Sequence, residues 1–335
     1  MPLFSRKGKK EGAARPTRVF YACDIHGSEP TYRKFLNAAR FYEVDALVFG
    51  GDLMGKMLIP IVRSAGGTWR ASLQGQQHHI TSEEQLAEFK RTMQTLGFYW
   101  REMDPKEYAE HQGDQERIDR LFDVLARERL AEWVALAEER LSGTDVKVYL
   151  CGGNDDTDEV LTALDKVSGD RVVNAENRVV PLDDEHELVT VGYSTPTPWE
   201  TPRERTDPEI AEVIEKVVSG VSDPARTVFN FHCPPLDSSL DTCLKLDASV
   251  WPPTPVIERG QPVYYGAGSQ AVTDALSSYQ PTVGLHGHIH ESRGATRYGR
   301  TPAYNPGSEY GEGVLRGLIV AIRGGEVAGH QFTSG

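Results

Sequence analysis

Five stretches of this chain place side chains able to hold a metal just beyond an apolar run. "YACDIHG" ends in Asp24 and His26, and "LVFGGD" ends in Asp52. "VYLCGGNDD" ends in Asn154, Asp155 and Asp156, "VFNFHC" in His232, and "VGLHGHIH" in His288 and His290. Taken singly, each has an ordinary reading: Asp-x-His-Gly as a polar turn, His232 as a buried hydrogen-bonded histidine, Asn154 as a turn or helix cap. As an ordered set they share one chemistry. Carboxylate oxygen and imidazole nitrogen suit Mn, Fe, Zn and related divalent ions. Two such ions about 3.5–4 Å apart clamp a phosphate and activate a bridging water. One carboxylate must bridge them, and Asp52 is the natural candidate. The flanking glycines allow sharp turns and close approach of substrate.

Such residues can converge only if the elements behind them lie side by side. Runs rich in Val, Leu, Phe and Tyr predict strands at residues 18–23, 45–50, 146–151, 187–193, 226–231, 282–286 and 314–322. Helical spacing predicts helices at 30–42, 157–166, 209–219 and 269–279. Alternating strands and helices give an α/β fold with layered sheets, and open α/β sheets gather ligands at the carboxyl ends of their strands. Beyond residue 295 the chain reads as short strands joined by "YGRT" and "RGGE" turns. Residues 54–143 break the alternation. They predict a hairpin turning at Gly75, a helix opening at Thr81 or Ser82, and a long helix over 114–141 whose Ile118, Leu121, Phe122 and Leu125 form a stripe. This segment is either a cap over the site or part of the core. Asp156 is expected to cap the helix that follows it.

The chain has 335 residues and a formal net charge of −13. That balance disfavours a broad basic face for long nucleic acid but leaves room for a small anionic substrate, because bound cations invert the local field. No apolar stretch approaches the roughly 18–20 residues of a membrane helix. Residues 1–16 are basic without an apolar core and read as a flexible tail, the rest as one domain. The cysteines (Cys23, Cys151, Cys233, Cys243) show no C-x-x-C pairing. Together these features imply reduced thiols and a cytoplasmic protein.

The order D-x-H, GGD, GN-x-[DE], a lone histidine after a strand, then GH-x-H resembles the calcineurin-like metallophosphoesterase superfamily, from about residue 18 to 325. "NPGS" at 305–308 fits the same pattern. The resemblance implies a four-layer α/β/β/α sandwich of two mixed sheets and a centre of two divalent metals, Mn or Fe, or Zn. It assigns Asp24, His26, Asp52 and His290 to one ion, and Asp52, Asn154, His232 and His288 to the other. One position departs: the family's histidine directly after the asparagine is Asp155 here. An ionised carboxylate neither donates a proton nor attracts phosphate, so either His26 or metal-bound water serves instead, or the substrates carry good leaving groups. Asp155, His26 and Asn154 are thus the residues expected to act on substrate. The expected function is a phosphohydrolase, a phosphodiesterase on a small phosphorylated substrate attacked by metal-bound hydroxide. A non-catalytic scaffold of this fold and a nucleotide pyrophosphohydrolase or nuclease are the alternatives. Trp69, Arg70, His78, His79, Tyr264, Tyr265 and Ser269 are candidate substrate contacts.

Overall fold

In the computed structural model, which describes residues 15–64, 66–166 and 169–335, two six-stranded mixed sheets lie between helices. The first sheet runs, edge to edge, Glu326–Ser334, Arg316–Arg323, Thr17–Ala22, Ala46–Phe49, Lys147–Leu150 and Val172–Asn174. Thr17–Ala22 pairs parallel with Ala46–Phe49 and antiparallel with Arg316–Arg323. The second sheet runs Gly294–Tyr298, Thr301–Asn305, Val283–Leu285, Thr227–Phe231, Glu187–Val191 and Val179–Pro181. The residues of the expected 1–16 tail lie outside the described chain up to position 14. Arg15, the first described, sits 3.1 Å from Asp45.

Strand alternation builds the layers. Side chains point to opposite faces every second residue. Val19 and Tyr21 therefore join Ala46, Val48, Leu188, Val228 and Leu285 between the sheets. Phe20, Leu47 and Phe49 face outward onto the helices Glu29–Phe41 and Gln115–Leu141. On the far side, Val189, Val191, Phe229 and Phe231 pack on Asp207–Val218 and Gln270–Tyr279. The result is the helix–sheet–sheet–helix sandwich that the family resemblance implied. No helix among the described residues is long and apolar enough to cross a membrane.

Residues 54–143 differ from their expected content. Besides the hairpin Thr68–Leu73/Gln76–Ile80, they contain Leu58–Ser64 and Tyr99–Met103, which pair in parallel to complete a separate four-stranded sheet. Pro60 masked the first of these, since proline inside a run argues against a strand. The segment has a core of its own around Ile61, Trp69, Phe89 and Met93. The long helix also deviates. Ile118, Leu121, Phe122 and Leu125 are only half-buried, and the buried stripe runs Ala126, Leu130, Trp133, Val134, Ala137, Leu141. Trp133 stacks on Tyr32 at 4.1 Å between ring centres, and Tyr32 Oη donates to the Trp133 carbonyl at 2.9 Å. The second half of this helix is thus a member of the main outer layer.

The expected helix over 157–166 is broken into one turn, Asp158–Leu161, and a tighter turn at Leu164–Lys166. Its cap is Thr157, whose side chain accepts from the Val160 N–H, and not Asp156, which is used elsewhere.

Candidate metal centre

The apolar strands deliver their polar ends to one place. Asp24, His26, Asp52, Asn154 and His232 are almost fully buried. Ligand atoms of Asp24, His26 and His290 lie within 4.8 Å of one another, as do those of Asp52, His232 and His288. His26, Asp52 and Asp155 form a third such group that joins the halves. Asp52 Oδ2 stands 3.4 Å from His232 Nε2 and 3.7 Å from His26 Nε2. Asn154 Oδ1 lies 2.9 Å from His232 Nε2. Every residue that the sequence singled out as a ligand therefore converges.

The backbone is bent to achieve this. Asp24, His26, Asp52 and His288 all have positive φ, between 42° and 66°. Each such residue costs about 1–2 kcal/mol for a side chain with Cβ, and strain of this kind collects at functional sites. Cross-loop hydrogen bonds hold it: Asp24 N to Gly51 O at 2.9 Å, His26 N to Asp52 O at 3.0 Å, Gly27 N to Leu53 O at 2.9 Å. The His288 N–H donates to Asp24 Oδ1 and Oδ2 at 3.1 Å, and the Asp155 N–H to Asp52 Oδ1 at 2.9 Å. At Gly153 a Cβ would lie 2.1 Å from Asp52 Oδ1, so only glycine admits the carboxylate there.

Supporting residues explain the rest. Asp156 accepts from three buried N–H groups, those of Leu53 (3.0 Å), Met54 (2.8 Å) and Gly153 (2.8 Å), and so pins the Asp52 loop to the Asn154 loop. The "NPGS" stretch has a matching task. Asn305 Nδ2 donates to the carbonyls of Gly287 and Ile289, and Ser308 Oγ to the Asp24 carbonyl at 2.6 Å. Arg203, fully buried, donates to the Gly153 carbonyl at 2.9 Å and pairs with Glu176. Asn154 Nδ2 donates to Thr201 Oγ1 at 2.9 Å, which fixes Oδ1 toward His232. Sequence reading missed Asp156 in this role, along with Arg203, Thr201, Tyr310 and Lys56. Tyr310 packs its ring 4.7 Å from that of His26. Lys56 Nζ is 2.6 Å from Asp155 Oδ2, so the altered position carries a carboxylate already paired with an ammonium.

The donor chemistry fits a bound cation. His232 Nδ1 is 2.8 Å from the Gly50 carbonyl. A carbonyl only accepts, so Nδ1 carries the proton and Nε2 presents its lone pair. That lone pair faces the oxygens of Asn154 and Asp52, an arrangement that repels unless a cation stands between them. His26 Nδ1 is buried without a hydrogen-bond partner, and His26 Nε2 meets His290 Nε2 at 3.1 Å. Burial disfavours a charged His232, but the carboxylates of Asp52 and Asp24 raise its pKa to about 9. Burial lowers His288 to about 3, helped by the charge of His232. Burial also holds His26 well below its usual value, with Lys56 adding to the effect. The Asp24 and Asp52 carboxyls are held below the usual range against the effect of burial, Asp24 by His290 and His232, Asp52 by His232 and His26. Ionised carboxylates and neutral imidazoles are the forms that bind metal.

His286, in the same run as His288, directs Nδ1 to the Phe231 carbonyl at 2.9 Å and serves the sheet. Trp69 is buried within the 54–143 segment, and His78 packs on Phe89. Ser269 caps Gln270–Tyr279 and donates to Asp207 at 2.5 Å. Arg70, His79, Tyr264 and Tyr265 are exposed. The four cysteines are free, three of them buried.

Comparison with known proteins places the fold. No family model matches the chain. The uncharacterised protein MJ1162 of Methanocaldococcus jannaschii is 24% identical over 176 residues, 52% of this chain and 70% of its own length. The crystal structure of TT1561 of Thermus thermophilus covers 96% of this chain and 98% of its own, at 12% identity and a TM-score of 0.52. A second crystal structure covers the same shares at 15% identity and a TM-score of 0.54. An archaeal phosphodiesterase aligns over 95% of this chain and 99% of its own at 10% identity, but its TM-score of 0.35 carries no argument about activity. At these identities the likeness is one of fold.

Proposed function

We propose that this chain is a metal-dependent phosphohydrolase of the calcineurin-like metallophosphoesterase kind, a phosphodiesterase acting on a small phosphorylated substrate. The observation that carries the reading is the pair of donor groups, Asp24/His26/His290 and Asp52/His232/His288, linked by a third, His26/Asp52/Asp155. Asp24, His26, Asp52 and His290 would hold one divalent ion, Mn, Fe or Zn, and Asp52, Asn154, His232 and His288 the other. Bound there, the ions would act as Lewis acids on a phosphate oxygen and make a water more acidic. Asp52 shares its carboxylate between the two groups, and its Oδ1 is fixed by the Asp155 N–H. Asn154 orients its carbonyl oxygen through Thr201. His26 turns Nε2 toward His290 and Asp52 and leaves Nδ1 without a hydrogen bond, 3.6 Å from Asp155 Oδ2.

The substrate charge follows from the altered position. Asp155 and Lys56 are neutral as a pair, so this side of the centre lacks the surplus positive charge that would favour a phosphate dianion. A diester, with one negative charge at the reacting group, suits it better. The net charge of −13 argues in the same direction against long nucleic acid, and the free thiols suit a cytoplasmic setting. The test is elemental analysis of the purified protein before and after Mn loading, together with hydrolysis of matched aryl mono- and diesters. The expected result is two ions per chain and a higher kcat/KM for the diester. Metal content near zero under both conditions would refute the assignment.

A further inference from the structure

The proposed chemistry leaves Lys56 without a task, although its position is closely defined. Its ammonium lies 2.6 Å from Asp155 Oδ2, and His26 Nδ1 lies 3.6 Å from the same oxygen. Asp155 belongs with His26 and Asp52 to the donor group that joins the two halves of the centre. The ammonium therefore stands at the rim of the ligand ring. The side chain of Lys56 is 39% exposed and that of Asp155 is 15% exposed, so the pair spans the boundary between centre and solvent.

The loop behind Lys56 is fixed. The Gly55 N–H donates to Tyr99 Oη at 3.0 Å. A Cβ at Gly55 would lie 2.0 Å from the Gly97 carbonyl, and one at Gly97 would lie 1.7 Å from that of His26. The loop carrying Lys56, the turn at Gly97 and the His26 backbone are thus stacked in contact. An ammonium has three donors. One is spent on Asp155, leaving the others for whatever binds at the ring.

We propose that Lys56 grips a non-bridging oxygen of a phosphate bound at the centre, with Asp155 as the positioning residue that holds its ammonium over the ring. The inference rests on the phosphohydrolase reading and names a substrate contact within it. A lysine delivered from one loop, anchored by a carboxylate from another, makes the Asp155 substitution part of a second way of binding phosphate.

The test uses the full chain loaded with Mn, with metal content measured for each variant and inorganic phosphate titrated calorimetrically. Lys56→Met should weaken phosphate binding about tenfold, the scale of one charge-assisted hydrogen bond at a half-exposed site, without changing metal content. Lys56→Arg, which keeps the charge, should restore most of that loss. Asp155→Asn should weaken binding by a smaller factor, the lost anchor of the ammonium outweighing the removed negative charge, and should no longer weaken it in the Lys56→Met background if it acts through the lysine. Unchanged phosphate affinity in Lys56→Met at normal metal content would overturn the inference while leaving the phosphohydrolase reading intact. Loss of metal from Lys56→Met would also overturn it, by making the lysine a support of the ring. A wild-type protein that binds metal but no phosphate would overturn both. Fully additive losses in the double variant would remove the positioning role of Asp155.

Discussion

Replacing Asp156 by alanine should damage this protein more than replacing any single histidine of the centre. The carboxylate accepts from three buried N–H groups at 2.8–3.0 Å, and those groups belong to the two loops that carry Asp52 and Asn154. A buried donor left unpaired costs about 1–3 kcal/mol, so three of them put the loss at about 3–6 kcal/mol once partial entry of water is allowed for. Burial and the charge of Asp52 push the Asp156 carboxyl up to about 7, which returns a fraction of that loss when the charge is removed. Against a total stability of about 5–15 kcal/mol the change is large. Asp156→Asn is the milder partner. It keeps the volume and one acceptor oxygen but turns an NH2 group toward at least one N–H, for an expected loss of about 1–3 kcal/mol. Urea unfolding followed by circular dichroism measures both, and Mn titration of the asparagine variant reports on the loops. Midpoints within error of wild type for both variants, with unchanged Mn affinity, would refute the role given to Asp156.

Asp52→Ala should strip both metals, whereas His290→Ala should lower content toward one ion per chain; elemental analysis of the two distinguishes them. Gly153→Ala drives a Cβ to 2.1 Å from Asp52 Oδ1 and should reduce metal affinity while far-ultraviolet circular dichroism stays native. Arg203→Met removes the fully buried half of the pair, leaving the part-buried Glu176 only the Gly152 N–H, and should cost about 3 kcal/mol in denaturant unfolding. Deleting residues 68–141 should leave the chain unfolded by circular dichroism, since the helix Gln115–Leu141 supplies Leu130, Trp133, Val134 and Ala137 to the outer layer. A folded deletion product with native metal content would instead make the segment a dispensable cap.

Some of this was legible in the sequence because the signals are local. An apolar run ending in a carboxylate or imidazole announces itself, and the runs delivering Asp24, Asp52, Asn154, His232 and His288 form strands within about two residues of their expected ends. What the sequence hid is made by contact across the fold. Lys56 meets Asp155 and Asp156 meets Leu53 only after strands far apart in the chain lie together, and nothing in "GKM" or "NDD" marks them. The strand Leu58–Ser64 was hidden by Pro60, and nothing in the stretch 157–166 marks the change from the Asp158–Leu161 turn to the tighter one at Leu164–Lys166.

The place of the strand Thr17–Ala22 decides when the centre can exist during synthesis. It lies inside its sheet, between Ala46–Phe49 and Arg316–Arg323, although some three hundred residues separate it from the second partner. Until that late hairpin leaves the ribosome, one edge of the first sheet is unpaired, and open edges invite pairing with other chains. His288, His290 and Ser308 are also made late. A nascent chain therefore carries Asp24 and Asp52 long before His288 and His290 exist, and an ion that needs the full set could be held only after those residues are made and Arg316–Arg323 has closed on Thr17–Ala22.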